Sequence, residues 1–270
     1  MSYKEQPDFI SPSDPNCKIW RYMDLAKFLS IIDVRSLYFT RLDQLGTFDP
    51  FEGYYTNLNI QFDNTPFESM SDAWKEENGI KTKQLYDVVI QSNKNIRKFV
   101  KYNREVTFVN SWHIKEYESA AMWQLYLSNQ EGICIQSTFK NLIESLESYK
   151  EFDIFIGKIK YIDYQNEAIP KGNILSPFTY KRKSFEHEEE LRALIWTPQN
   201  GKNDISNPNN NKFKDVLGIY VPVSIEKLIE KIFVSPNAPK WNADLIRSLV
   251  KKYEINVEVV QSDLAAKPLY

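Results

Sequence analysis

Hydrophobic positions along the chain recur with two periods, and the switching between them predicts an α+β fold. Ile19-Trp20-Arg21-Tyr22-Met23 is a short run of strand formers. Asp24 stands where a helix cap belongs, ahead of Leu25, Phe28, Leu29 and Ile32 at helical spacing, and that helix is expected to end near Asp33. Ser36 to Thr40 returns to strand formers. Thr47 to Gly53 reads as a helical turn or a tight loop, because Asp49-Pro50-Phe51-Glu52 carries a helix-start signature of Asp cap, Pro at the first helical position and a carboxylate three residues after the cap.

Residues 54–105 are charged and aromatic, with helical spacing clearest around Leu85, Val88, Val89 and Ile96, which predicts a helical insertion. Val106 to Trp112 is strand-like. Ser119 then caps a helix carrying Met122, Trp123 and Tyr126, Gly132 to Gln136 is a further strand, and a helix from Ser137 or Thr138 buries Leu142, Ile143 and Leu146. Ile156 to Tyr164 alternates Lys158 and Lys160 against Ile159 and Tyr161, the period of a sheet with one wet face. Phe178 to Phe185 is read as helical and leads into a central strand ending in Leu194-Ile195-Trp196. Ser206 to Asn211 reads as a loop; Gly218 to Val223, Lys231 to Val234 and Ile255 to Val260 as strands, with helices around 225–230 and 241–252. The expectation is one α+β domain over residues 1–270, a mixed sheet flanked by helices, with residues 54–105 inserted.

Composition narrows the chemistry. Lys and Arg total 34 against 36 acidic residues, so no net field holds a polyanion or a charged membrane. Cys17 and Cys134 lie far apart, and Cys134 falls in an apolar run that suits a buried reduced thiol, hence a reducing compartment. With two histidines, His113 and His187, and no CxxC or HxxxH spacing, no metal is expected. The polar, proline-broken N-terminus and the lack of a run of roughly 20 apolar residues point to a soluble, cytoplasmic protein without a membrane partner. An aromatic share of 14% supplies core filler and flat walls for stacking a ligand.

The most informative segment is Glu188-Glu189-Glu190-Leu191-Arg192. If extended, it projects Glu188, Glu190 and Arg192 from one face, where two carboxylates and a guanidinium converge. Like charges on alternate residues raise the proton affinity of one of them, which suits binding or general-base work; a solvated acidic helix turn is the bland alternative. Arg21, between Trp20 and Tyr22, supports the core or presents a fork to a phosphate or carboxylate. Ser111, beside Trp112, offers a hydroxyl at a strand end. Lys181-Arg182-Lys183 is neutralised within the chain or binds phosphate.

Five blocks, Ile19 to Asp24, Leu37-Tyr38-Phe39, Asp49 to Glu52, Ser119 to Tyr126 and Lys181 to Arg192, occur in the order of the family called domain of unknown function 2971, which residues 19–240 resemble. More loosely, Arg21, Ser111 and Glu188-x-Glu190 resemble the ordered triad of ADP-ribosyltransferases. That likeness implies a split sheet and NAD as substrate. Arg21 would hold the pyrophosphate, Ser111 would orient the nicotinamide ribose, and Glu190 would stabilise the oxocarbenium-like transition state. Tyr22, Tyr38 or Trp112 would stack on nicotinamide. It departs from the transferase pattern at Trp112, where a small hydroxyl residue is usual, and in the long segment from Tyr54 to Glu105. The leading expectation is an NAD-dependent ADP-ribosyltransferase or NAD glycohydrolase serving as a bacterial phage-defence or toxin effector. The first alternative is a non-enzymatic ligand-sensing or interaction module in which Asp49, Glu52, Glu188 and Arg192 form a buried ionic network. The second is magnesium-dependent nucleic-acid processing with Asp49, Glu52, Glu188 and Glu190 as ligands. Lys181 and Arg182 complete the expected binding set.

Overall fold

A computed structural model describes residues 3–126, 132–197, 213–266 and 268, and its architecture is α+β. The chain runs β1 (Lys18–Met23), α1 (Leu25–Val34), β2 (Ser36–Arg41), α2 (Asn57–Asp63), α3 (Asp72–Glu77) and α4 (Lys83–Glu105). It continues with β3 (Thr107–Ile114), α5 (Ala120–Tyr126), β4 (Ile133–Thr138), α6 (Phe139–Ser145), β5 (Ile154–Lys158), β6 (Lys160–Ile162) and β7 (Tyr180–Arg182). The last elements are β8 (Glu190–Trp196), β9 (Gly218–Pro222), α7 (Ile225–Leu228), β10 (Lys231–Val234), α8 (Lys240–Lys252) and β11 (Glu258–Gln261). The helix starts have the expected chemistry. The Asp24 carboxylate accepts from the Lys27 amide at 2.8 Å, Ser119 Oγ from the Met122 amide at 3.3 Å, and Thr138 Oγ1 from the Asn141 amide at 3.1 Å.

Nine strands form one mixed sheet, and it is split around β3. One edge of β3 pairs with β8 along its length, from Thr107 opposite Trp196 to His113 opposite Glu190. The other edge is shared: β1 pairs with it only at Ile19–Ile114 and Trp20–His113, and β2 only at Thr40–Val109 and Arg41–Phe108. Side chains fill the gap between, with Asn110 Nδ2 donating to the Tyr38 carbonyl at 3.0 Å and Arg21 Nη1 donating to the Ser111 carbonyl.

Strand alternation sends the two sheet faces into different surroundings. Ile19, Met23, Trp112, Ile133, Ile135, Leu191, Ala193 and Ile195 pack with Phe28 and Ile32 of α1, Leu142 of α6 and Ile246 of α8 in the main core. Each fully buried aliphatic or Phe side chain there contributes about 1.5–3 kcal/mol. On the opposite face Trp20, Tyr22 and Cys134 lie under Met122 and Trp123 of α5, while Val109 and Leu194 lie under Leu42 and Phe178. Both cysteines are free, and burial pushes the Cys134 thiol well up. No helix among the described residues is long and apolar enough to cross a membrane.

Residues 54–105 carry α2, α3 and α4, with a 3₁₀ turn at Phe67–Ser69 between the first two. Buried Asp63 ties α2 to α4, accepting from Asn93 Nδ2 at 2.8 Å and from Arg97, and it also takes Lys171 Nζ at 2.7 Å. Of the two alternatives at Asp49 to Glu52 the tight loop is formed and no helix starts: the Asp49 carboxylate accepts from the Phe51 amide at 3.0 Å, and the Glu52 amide bonds the Asp49 carbonyl at 3.0 Å. Two local expectations are corrected. Ile156 to Tyr164 is two strands: the Ile159 amide still meets the Glu190 carbonyl at 2.9 Å, in register with β8, and from Lys160 the chain pairs with β7 instead. Phe178 to Phe185 contains β7 between two 3₁₀ turns, Ser176–Thr179 and Lys183–Glu188. Ser206 to Asn211 lies outside the described residues.

Candidate functional site

The register of β3 against β8 sets Ser111 opposite Arg192 and His113 opposite Glu190, so all four share the face away from the main core. Arg192, fully buried, lies at the centre. Its Nε and Nη2 donate to the two oxygens of Glu190 at 2.7 and 3.0 Å, and its Nη1 donates to Glu52 at 2.8 Å and to the Phe178 carbonyl at 2.9 Å. Glu52 comes from the turn after β2, which Gly53 closes with φ of 74°. Lys181 of β7 reaches Glu188 at 2.6 Å, Glu190 at 2.8 Å and Glu52 at 3.5 Å. Ser111 Oγ donates to Glu190 Oε1 at 2.5 Å.

Two cations thus hold three carboxylates in a nearly dry space. Burial alone would raise the Glu190 carboxyl, yet Arg192 and then Lys181 outweigh it and hold it well below the usual carboxylate range. Burial would likewise lower the Lys181 ammonium, and Glu190 and Glu52 reverse the sign. Both oxygens of Glu190 are engaged, by Ser111 and Arg192 on one side and by Arg192 and Lys181 on the other. Such a carboxylate is a fixed counter-charge with no lone pair facing solvent.

Glu188 differs from the expectation. It ends a 3₁₀ turn and is outside β8, because Glu189 takes a left-handed conformation at φ 37° and resets the direction of the chain. The Glu188 carboxylate still joins the network through Lys181, from its rim, at 25% exposure. The segment is pinned from four directions. His113 Nδ1 meets the Glu188 carbonyl at 2.6 Å, the Ile114 amide meets the Glu189 carbonyl at 2.9 Å, the Ile159 amide takes the Glu190 carbonyl, and the Tyr161 hydroxyl accepts from the Glu190 amide at 2.8 Å. A carbonyl only accepts, so the His113 proton sits on Nδ1, and its buried Nε2 has no partner among the described residues. Burial lowers the His113 pKa.

Asp49 and Arg182 stand beside the network. Arg182 Nη2 meets Asp49 at 2.6 Å, and the guanidinium lies 4.7 Å from the Phe51 ring and 5.4 Å from that of Phe185. Lys183 pairs with Glu167 at 3.3 Å. Every member of the basic triplet therefore has a carboxylate of its own chain, which is the neutralisation alternative. The four carboxylates considered as magnesium ligands are all turned to Lys or Arg, and no three His, Cys, Asp or Glu side chains among the described residues are arranged to hold a metal ion.

The remaining expected residues divide between the faces. Arg21 lies opposite Ile135 and on the same side of β1 as Ile19 and Met23, hence on the main-core face, where its guanidinium stands 5.9 Å from the Trp112 ring. Arg21 and Glu190 approach Ser111 from opposite faces of the sheet and do not line one cleft. Trp112 is core, its indole N–H donating to Asn110 at 2.8 Å, so it offers no stacking wall on the Glu190 side. Tyr22 is on the Glu190 side but packs against Trp123 at 5.0 Å, and its hydroxyl accepts from the Ser119 amide at 2.7 Å. Tyr38 is half-buried on that face and meets Tyr220 at 5.1 Å. Tyr161 and His113 were not singled out for the network; nothing in the Lys160-Tyr161-Ile162 strand pattern marks a hydroxyl that holds another strand's amide. No protein-family model matches the chain, and a search of the curated proteins finds no match.

Proposed function

We propose that this chain is a non-enzymatic ligand-sensing or interaction module, in which the Glu52–Lys181–Glu190–Arg192 network with Glu188 at its rim holds the recognition face in shape. The observation that carries this reading is the saturation of Glu190: its two oxygens accept four contacts from Ser111, Arg192 and Lys181 in a buried setting. A carboxylate that stabilises a ribosyl cation must keep an oxygen for the sugar hydroxyl, and one that holds magnesium must keep lone pairs for the ion. A nucleotide-type small molecule remains the expected ligand class, with half-buried Tyr38 and Ser111 on the accessible part of the same face.

Calorimetry of the purified chain with NAD and with nucleotides, alongside a nicotinamide-release assay, tests the assignment. Binding without release supports it. Nicotinamide release that disappears in a folded Glu190→Gln protein overturns it in favour of ADP-ribosyl transfer or NAD hydrolysis. That second reading has one specific observation behind it: Ser111 touches Glu190 through its hydroxyl and Arg21 through its carbonyl, so the three residues meet at one point of the split sheet.

A further inference from the structure

Arg104, in the last turn of α4, is only 6% exposed, and among the described residues its guanidinium has no carboxylate, carbonyl or hydroxyl partner. Its Nε is fully enclosed without a hydrogen bond among the described residues, and the guanidinium carbon lies 4.2 Å from the Tyr54 ring. The other deeply buried arginines have anions: Arg192 has Glu52 and Glu190, and Arg41 has Asp43 at 2.7 and 3.0 Å. The two carboxylates nearest Arg104 along the chain and the neighbouring turn, Glu105 and Asp43, both act on Arg41. The carbonyl end of a helix favours a cation, and a ring face adds to it, but neither replaces the hydrogen bonds a buried guanidinium loses with its water. The guanidinium lies close to Gly46, where a Cβ would stand 3.1 Å from Arg104 Nη2, so a side chain at that position would crowd the fork.

We infer that Arg104, Tyr54 and the turn at Gly46 form a receptor for a single oxyanion, the phosphoryl or carboxylate group of a ligand, taken in two-point fashion by the guanidinium. The planar fork with two parallel N–H donors matches the spacing of oxygens in both groups, and occupancy supplies a counter-charge that the described residues do not. This site is separate from the Glu190 network and stands whether or not that network has a ligand of its own.

Thermal unfolding of the whole chain tests it, with inorganic phosphate, acetate and chloride compared at matched ionic strength. The expected result is a saturable rise of the unfolding midpoint with phosphate or acetate beyond that with chloride, the more effective anion naming the source. Arg104→Met should abolish the rise, and Arg104→Lys should move half-saturation about tenfold higher, because a point charge replaces a two-point fork. Gly46→Ala, which crowds the fork without touching its charge, should also weaken the response. A wild-type midpoint no more sensitive to phosphate and acetate than to chloride overturns the inference, and so does a rise that persists in Arg104→Met.

Discussion

Replacing Arg192 by Met removes the centre of the network while keeping a side chain of similar length. Four hydrogen bonds go, three of them to carboxylates. Glu52 and Glu190 then remain buried with Lys181 as the nearby cation, and Glu188 competes for the same ammonium. Removing one partner of a buried ion pair costs about 3–5 kcal/mol, and in a chain of this size the unfolding midpoint should fall by about 6–20 °C. The pH dependence carries the sharper signature. In the wild type the Glu190 carboxyl is held low, so the stability it contributes is present above its unfolded value of about 4.3 and is lost only as pH falls through the folded value. In the variant, three carboxylates around one ammonium force at least one carboxyl upward, and the folded state takes up a proton that the unfolded state does not. The gap between the two proteins should therefore narrow as pH falls from 8 to 5, read by urea unfolding at each pH. A variant within about 1 kcal/mol of wild type at pH 8, or a gap that is constant with pH, refutes the view that Arg192 is the principal counter-charge.

Two further outcomes follow from named contacts. His113 is held neutral by burial, so the unfolded chain binds the proton more readily; stability is full above the unfolded value of about 6.5 and falls as pH drops below it toward the lowered folded one. His113→Gln should flatten that slope between pH 7 and 5, and a slope unchanged in the variant would assign it to other groups. At Gly157 on β5 a Cβ would stand 2.7–2.9 Å from the backbone of Phe9 and Ile10, so Gly157→Ala should dislodge the N-terminal arm from the sheet edge at a cost of about 1–3 kcal/mol. Limited proteolysis should then cut within residues 3–10 faster than in wild type, and equal rates would show that the arm adjusts.

Most elements were legible because their signals are local. Asp24, Ser119 and Thr138 announce helices by short-range capping chemistry, and β10 falls where its apolar run lies. The convergence of Glu190 and Arg192 was legible for the same reason, since residues two apart on a strand share a face. Phe178 to Phe185 was not, because its strand exists only through pairing with Lys160–Ile162, a partner about twenty residues earlier that no window of spacing contains. Asp49 to Glu52 is ambiguous for a different reason. Asp, Pro and a carboxylate three residues on suit a helix start, but Glu52 is drawn inward to Arg192 and Lys181 and the chain turns at Gly53.

Arg21 shows why the order of residues along a chain underdetermines a site. Ile19, Arg21 and Met23 alternate with Trp20 and Tyr22, and both sets are mostly apolar, so the strand gives no sign of which side meets the larger core. The decision is made by β4, where Ile133 and Ile135 join the main core and carry the residues opposite them, Met23 and Arg21, to that face. Ser111 has the opposite allegiance, because β3 sets it across from Arg192, on the side where Val109 packs with Leu194. A one-residue difference in parity thus puts Arg21 and Glu190 on opposite faces of the sheet. Shifting Arg21 to the other face would require slipping β1 against β4 by one residue, exposing Ile19 and Met23 to the Trp123 side and sending Trp20 and Tyr22 into the main core. The packing of Ile19, Met23, Trp20 and Tyr22 therefore fixes the placement of Arg21, and with it the reading of Glu190 as a structural charge.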